Sequence, residues 1–580
     1  MKKVVLLLLV VFFLTFSVAC SKESEVFFST SQNRIPLQAL NDNALSGVIS
    51  DPQKSSYAYF SFNKEDLPVF TSALKTTPVS CQITVVPFPG ETIQEGNFAF
   101  GFLYDTDFES SGKLKKDLED RNLIQGTVST DMTPFSLAYY IPAEDAERIS
   151  GFFVFSTIPL QIRDPHLGEV KLGYTTREAL PTFYFGSHGG FFDIKNPVLN
   201  FDYSSGTELF GSDYATVWPV YTVELSECTS MPEKFKDQER VFLSIGEEEI
   251  FIRRAPHQRS VSLHWAGLKN PGGAVEFGTN ASMIEGLVLT NEKKFLTKNM
   301  EPLNTDPGML PLWTTTHWRQ TDFELFEWEE FPGVLYFDTK DYDVQSDFFT
   351  RLAFFTEKAG YIGTLVPDHI LAGMHGYNAH DYRAESLADF FTLAEKTDFP
   401  LNEKEHLLKE ILLHNGIILP SDSGVGYKPG QGAVISISQE SPLYLRYTFI
   451  AHEGFHGIYF SDEMFRNAVA EVYNTADKKS IQFLQNYFVS QPTLNYNIDD
   501  TYLMQNEFMA YIMQQSVANT GPYFADNLAH RNSMKYYFPE DAAYVQQTKG
   551  AGFTEASLRL STYTFNRWGI EAGRVSLVGR

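Results

Sequence analysis

The chain has 580 residues, 43% of them hydrophobic and 20% charged, a globular composition long enough for several domains of about 100–200 residues each. Its formal net charge of −26 repels phosphate backbones, so nucleic acid is not an expected partner. Three cysteines are too few for a disulfide scaffold or a cysteine-liganded zinc site, while 50 Phe and 29 Tyr favour packed sheet interiors.

At the N-terminus Lys2 and Lys3 precede an apolar run from Val4 to Phe16, and Ser17-Val18-Ala19-Cys20 supplies small residues followed by Cys. The run is shorter than the ~20 residues that a bilayer-spanning helix needs. This segment resembles a bacterial lipoprotein signal with its lipobox, Ser17 standing where that family more often has Leu. The resemblance implies that residues 1–19 are a signal peptide cleaved before Cys20. It also implies that the Cys20 thiol is lipidated and anchors the protein in the cell envelope, at an outer membrane or cell surface. An ordinary cleaved signal peptide with an incidental Cys20 is the alternative. Cys81 and Cys228 would remain, and whether they pair depends on a geometry that sequence does not give.

Residues 20–55 carry many Ser, Asn and Gln and read as a tether. From 56 to 330 the expectation is mainly β. Tyr57–Phe62, Gln82–Val86, Gly151–Phe155 and Val241–Ile245 have the aromatic and β-branched character of strands, and breaks such as Asn270-Pro271-Gly272-Gly273 separate them. Two sandwich-like β domains, 56–180 and 181–330, are expected. The character changes near Pro332-Gly333. Val334–Phe337 and Tyr361–Val366 read as strands. Gln345–Lys358, about 384–396 and about 402–414 read as helices. The region 331–580 is therefore expected to be an α+β domain.

Within it stands His452-Glu453-Gly454-Phe455-His456. Residues i and i+4 share one helical face, so two imidazoles there can bind one Zn²⁺ from the same side, and Glu453 beside them can act as general base toward water. Ser441 as N-cap and Pro442 as first helical residue would open the helix. Its apolar composition predicts burial, and buried His and Glu side chains need partners that a metal supplies.

Two histidines call for a third protein ligand. Glu507 is the preferred candidate, in a nearly all-apolar helix expected from Tyr502 to about Val517, where a carboxylate is costly unless paired. Asp462 lies six residues after His456, but Tyr459 stands where a sharp turn would need Gly. Glu471, on another expected helix, has only spacing in its favour. Asn506-Glu507-Phe508-Met509-Ala510 resembles the Asn-Glu-x-x-Ala stretch that supplies the glutamate ligand in gluzincin peptidases. That resemblance covers the metal helix, the strand before it and the Glu507 helix. It implies a zincin-like fold, and it implies that the strand Gly432–Ser438 borders the cleft and pairs with extended substrate. An internal strand without that role is the alternative.

Oxyanion stabilisation calls for a donor, and Tyr511, Tyr523 and His530 are candidates between which sequence does not choose. The cluster His375-Gly376-Tyr377-Asn378-Ala379-His380-Asp381-Tyr382 reads as a turn with capping side chains, with lining of the cleft or a second metal site as alternatives. The expectation is a zinc metallopeptidase with one Zn²⁺ per chain on His452, His456 and Glu507, acting on peptide or protein substrate. Its rival is a surface-displayed binding lipoprotein whose C-terminal domain holds a structural metal or none.

Overall fold

The computed structural model describes residues 35–62, 79–88, 90, 92–111, 113–115, 123–141, 148–169, 172–175, 182–185, 190–192, 217–228, 240–246, 248–256, 258–269, 275–293, 300–374, 376–494 and 496–580. The signal segment, Cys20, the 270–273 break and His375 lie outside them. The chain divides into two compact units. One comprises residues 1–226, 241–250 and 269–293, and the other 227–240, 251–268 and 294–580.

The first unit is built of strands. Its larger sheet runs in the order Ile35–Pro36, Leu160–Glu169, Val79–Pro87, Phe135–Tyr140, Thr182–Phe185, Leu172–Thr175, Ile284–Lys293, Val217–Leu225. A six-stranded sheet runs Gly190–Phe192, Ile124–Ser129, Glu95–Tyr104, Ile149–Ser156, Tyr57–Ser61, Gln38–Ala39. Alternate residues of both sheets enter one core, Cys81, Ile83, Leu137 and Tyr139 from the first meeting Phe60, Phe100, Phe102 and Phe152 from the second. The Tyr139 ring stacks 4.4 Å from Phe102, so the abundant aromatics fill the space between sheets.

Two expectations change here. The tether does not extend to residue 55, because Ile35–Pro36 and Val48–Ile49 pair with Leu160–Glu169 and Asn41 caps the helix Asp42–Ser46. No division falls at 180/181, because Leu172–Thr175 and Thr182–Phe185 are neighbours in one sheet. Pairing between distant strands leaves little local signature, which is why composition alone misplaced both boundaries.

The second unit is mixed. Its five-stranded sheet contains β1 (Leu303–Thr305), β2 (Phe323–Trp328), β3 (Val334–Thr339), β4 (His380–Arg383) and β5 (Ala433–Ser438), in the order β1-β2-β3-β5-β4. Helices α1 (Tyr342–Thr356), α2 (Ala384–Lys396), α3 (Glu403–His414), α4 (Leu443–Ser461), α5 (Glu463–Thr475), α6 (Lys478–Ser490), α7 (Thr501–Met513) and, after a run of short helices, α8 (Ala551–Trp568) complete it. The apolar faces of α1, α2 and α3 share a core with β2, β3 and β5.

Tyr361–Val366 is not a strand. Gly360 and Gly363 adopt φ of 89° and 72°, and a turn closes from the Tyr361 amide to the Lys358 carbonyl. A run of apolar residues flanked by left-handed glycines curls instead of extending. Among the described residues, no helix is long and apolar enough to cross a membrane. Cys81 is a buried thiol in the first unit's core; Cys228 packs against Phe565 in the second.

Candidate metal centre

Helix α4 carries the motif. Pro442, not Ser441, is its capping residue, with φ −53° and ψ 144°; the Ser441 hydroxyl instead bonds the Tyr342 hydroxyl at 2.8 Å. Proline's fixed φ and missing N–H suit a helix start. The helix sits unusually close to the sheet. A Cβ on Gly454 would stand 2.8 Å from the Tyr336 hydroxyl, and one on Gly457 would stand 2.9 Å from Val334 Cγ1. The two apparent weak points of the helix are what let it approach β3. The Arg446 guanidinium also grips Asp338 of β3 with two 2.8 Å bonds, both side chains being buried.

The motif residues come together. Nitrogen atoms of His452 and His456 and a carboxylate oxygen of Glu453 lie within 4.8 Å of one another. Glu507 arrives from α7, whose first turn Asp500 caps by accepting from the Tyr502 and Leu503 amides. Its carboxylate oxygens stand 3.9 Å from His452 Nε2 and 3.8 Å from His456 Nε2. The two distances belong to different oxygens, Oε2 facing His452 and Oε1 facing His456, so the Glu507 carboxylate spans the pair of imidazoles.

The other two ligand candidates are engaged elsewhere. Asp462 accepts from the Phe465 amide at 2.7 Å as the N-cap of α5 and pairs with Arg567 at 3.2 Å. Glu471 is 74% exposed and pairs with Arg559.

Strand Gly432–Ser438, given a substrate-pairing role by resemblance, is not available for it. As β5 it is hydrogen-bonded on both sides, parallel to β3 and antiparallel to β4, and every residue is buried. The last strand of the sheet is β4. His380 and Tyr382 point into the core, where Tyr382 Oη and His380 Nδ1 are 2.9 Å apart. Two-residue alternation then turns Asp381 to the opposite face. There its Oδ2 lies 3.5 Å from His456 Nδ1 and receives a long hydrogen bond, also 3.5 Å, from Asn506 Nδ2.

A cavity of about 670 Å³ opens on this group. Its walls include Glu357, Tyr377, Asp381, His452, Glu453 and Glu507. Gly376–Ala379 also line it, so these residues and Asp381 belong to the cleft wall, while His380 and Tyr382 of the same cluster face the core. Tyr511 and Tyr523 line it as well, the Tyr511 ring 5.3 Å from that of His452. His530 is exposed and not part of the lining. Sequence reasoning missed Glu357, Tyr496 and Gln514. Glu357 ends α1, and nothing in its sequence neighbours marks it.

Burial drives His452 down to about 3, assisted by His456, and drives His456 down to about 4. Both imidazoles are therefore neutral lone-pair donors at neutral pH. The carboxylates move the other way. Burial raises Glu357, Glu453 and Glu507 well above the ordinary range, with Asp381 adding repulsion to each; burial also lifts Asp381 to about 6. A Tyr496 hydrogen bond to Glu507 opposes its rise.

Both ring nitrogens of His456, one oxygen of Glu453 and Oε2 of Glu507 are buried without a hydrogen-bond partner. Orphaned polar atoms carry a cost of about 1–3 kcal/mol each, and here His456 Nε2 and Glu507 stand on the same side of the ring while His456 Nδ1 faces Asp381. Two neutral imidazoles with carboxylates beside them are a donor set that could hold a metal ion. No protein-family model matches the chain, and no curated protein matches its sequence.

Proposed function

We propose that the protein is a zinc-dependent hydrolase of peptide bonds, with His452, His456 and Glu507 as metal ligands, one ion per chain, and Glu453 as general base. The reading rests on the Glu507 carboxylate lying within 3.9 Å of both Nε2 atoms, 51 and 55 residues downstream of the two histidines and on a separate helix. When bound, zinc would polarise a substrate carbonyl and lower the pKa of water. Glu453 would take a proton from that water and deliver it to the leaving amine. A neutral His pair and a buried, protonatable Glu suit both tasks.

Amide substrate is favoured by the cleft. Among the described residues, β4 ends the sheet, and its residue Asp381, with Gly376–Ala379 before it, lines the cavity. An extended peptide could add to that edge by backbone hydrogen bonds. The zincin-like fold and the envelope location, through a lipidated Cys20, belong to the same proposal. They are supported by the metal-helix pattern and by the Val4–Cys20 segment.

The test measures zinc content and chelator-sensitive cleavage of a peptide library. About one zinc per chain, with cleavage abolished by chelation and restored by zinc, is expected. Metal-free protein of unchanged stability that cuts nothing would favour the binding-lipoprotein alternative.

A further inference from the structure

Gln514 caps the C-terminal end of α7, seven residues after Glu507, so the two share a helical face two turns apart. It is buried, and it lines the cavity. Its Oε1 lies 3.0 Å from His452 Nδ1, while its Nε2 is buried without a hydrogen-bond partner. Tyr523 stands close enough to feel the amide but not at hydrogen-bonding geometry to it.

The two ends of this amide are linked through the histidine. If His452 presents the Nε2 lone pair to a cation, its proton must sit on Nδ1. An N–H at Nδ1 can be accepted only by the carbonyl oxygen of Gln514. The amide orientation is then fixed, and the –NH₂ group, buried at the cavity wall beside Tyr523, is left at full hydrogen-bonding geometry to no protein acceptor. A buried donor that the fold leaves unpaired is costly, and in a cleft beside a general base it points to a ligand oxygen.

We propose that Gln514 works at both ends: its carbonyl positions His452 in the metal-binding tautomer, and its –NH₂ donates to the carbonyl oxygen of the scissile amide as negative charge develops there. This rests on the hydrolase reading above and adds a donor to the two tyrosines, Tyr511 and Tyr523, that line the same cavity. Preorganised donors of this kind are held in place by the fold before substrate arrives.

Two variants separate the roles. Gln514→Glu keeps an acceptor for His452 Nδ1–H and removes the –NH₂. Gln514→Met removes both at similar volume. Zinc affinity is read by competition with a chromophoric chelator, and turnover on a peptide cleaved by the parent. The Glu variant should bind zinc within about threefold of the parent, yet lose about 10²–10³-fold in kcat with KM little changed. The Met variant should also lose roughly 10–100-fold in zinc affinity. Parent-like kcat in Gln514→Glu overturns the donor role, and parent-like zinc affinity in Gln514→Met overturns the positioning role. A parent that binds no zinc removes the metal centre itself, and the proposal with it. A parent that binds zinc but cuts no amide removes the peptidase reading and the donor role, and the zinc arm then decides the positioning role.

Discussion

Glu507 is the one carboxylate of α7, Thr501–Met513. In an otherwise apolar helix its carboxylate needs a partner, and the structure gives it two imidazoles. That much was readable from sequence, because one rule covers both the helix pattern and the out-of-place charge. Asp381 and Gln514 were harder to see. Each is ordinary in its sequence context and acquires meaning only when β4 and the end of α7 meet α4. At this scale Glu453→Gln should retain about one zinc per chain while turnover falls by roughly 10²–10⁴-fold, the usual weight of a general base; metal analysis and kinetics on one preparation check both. Asp381→Asn, which weakens the support behind His456, should reduce zinc affinity by about 10–100-fold in the same chelator competition. The raised carboxylates set a pH dependence. Burial raises the Glu507 carboxyl well above its ordinary range, and ligation needs the carboxylate, so protons compete with zinc as pH falls and apparent affinity rises with pH. The histidines, already neutral above about 4, contribute no protons near neutrality. Zinc affinity measured by chelator competition at descending pH should therefore fall once Glu507 takes up its proton, at a higher pH than an ordinary carboxyl would; affinity that stays flat down to the ordinary carboxyl range would contradict the assignment of Glu507.

Helix α4 is held to the sheet by glycines that allow contact and by one buried ion pair. Arg446→Met strands Asp338 in the interior, and the loss is expected at about 3–5 kcal/mol, read as a lower denaturation midpoint. Adding Asp338→Leu should restore much of it, because the uncompensated acid is then gone. A single variant as stable as the parent would show that the pair does not hold the helix. The helix was legible in sequence from the histidine pair at i and i+4, the proline at its start and its apolar composition, whereas which strand faces substrate depends on which edge is left unpaired. Gly432–Ser438 reads as a strand from its β-branched residues, while His380–Arg383 falls in a cluster that reads as a turn, and its pairing with β5 is not local.

Across the whole chain, the broad division into a β-rich N-terminal part and a helical C-terminal part was legible from composition, and the boundaries were not. The second unit borrows residues 251–268 from within the β-rich stretch. Phe251 pairs with Gly579, Arg253 forms a 2.7 Å ion pair with Glu571, and the Ser262 hydroxyl donates to Glu329 at 2.8 Å. No local pattern announces contacts across 67 to 328 residues of sequence. A fragment starting at residue 294 should accordingly melt below the same unit in the full chain, by differential scanning fluorimetry with zinc present in both; equal melting would show that these segments add nothing. The most direct test of the account is a crystal structure of the zinc-loaded Glu453→Gln protein with anomalous data at the zinc edge. One anomalous peak within about 2.0–2.2 Å of His452 Nε2, His456 Nε2 and a Glu507 oxygen is the predicted result. A peak elsewhere, or a Glu507 carboxylate turned away from both imidazoles, would contradict it.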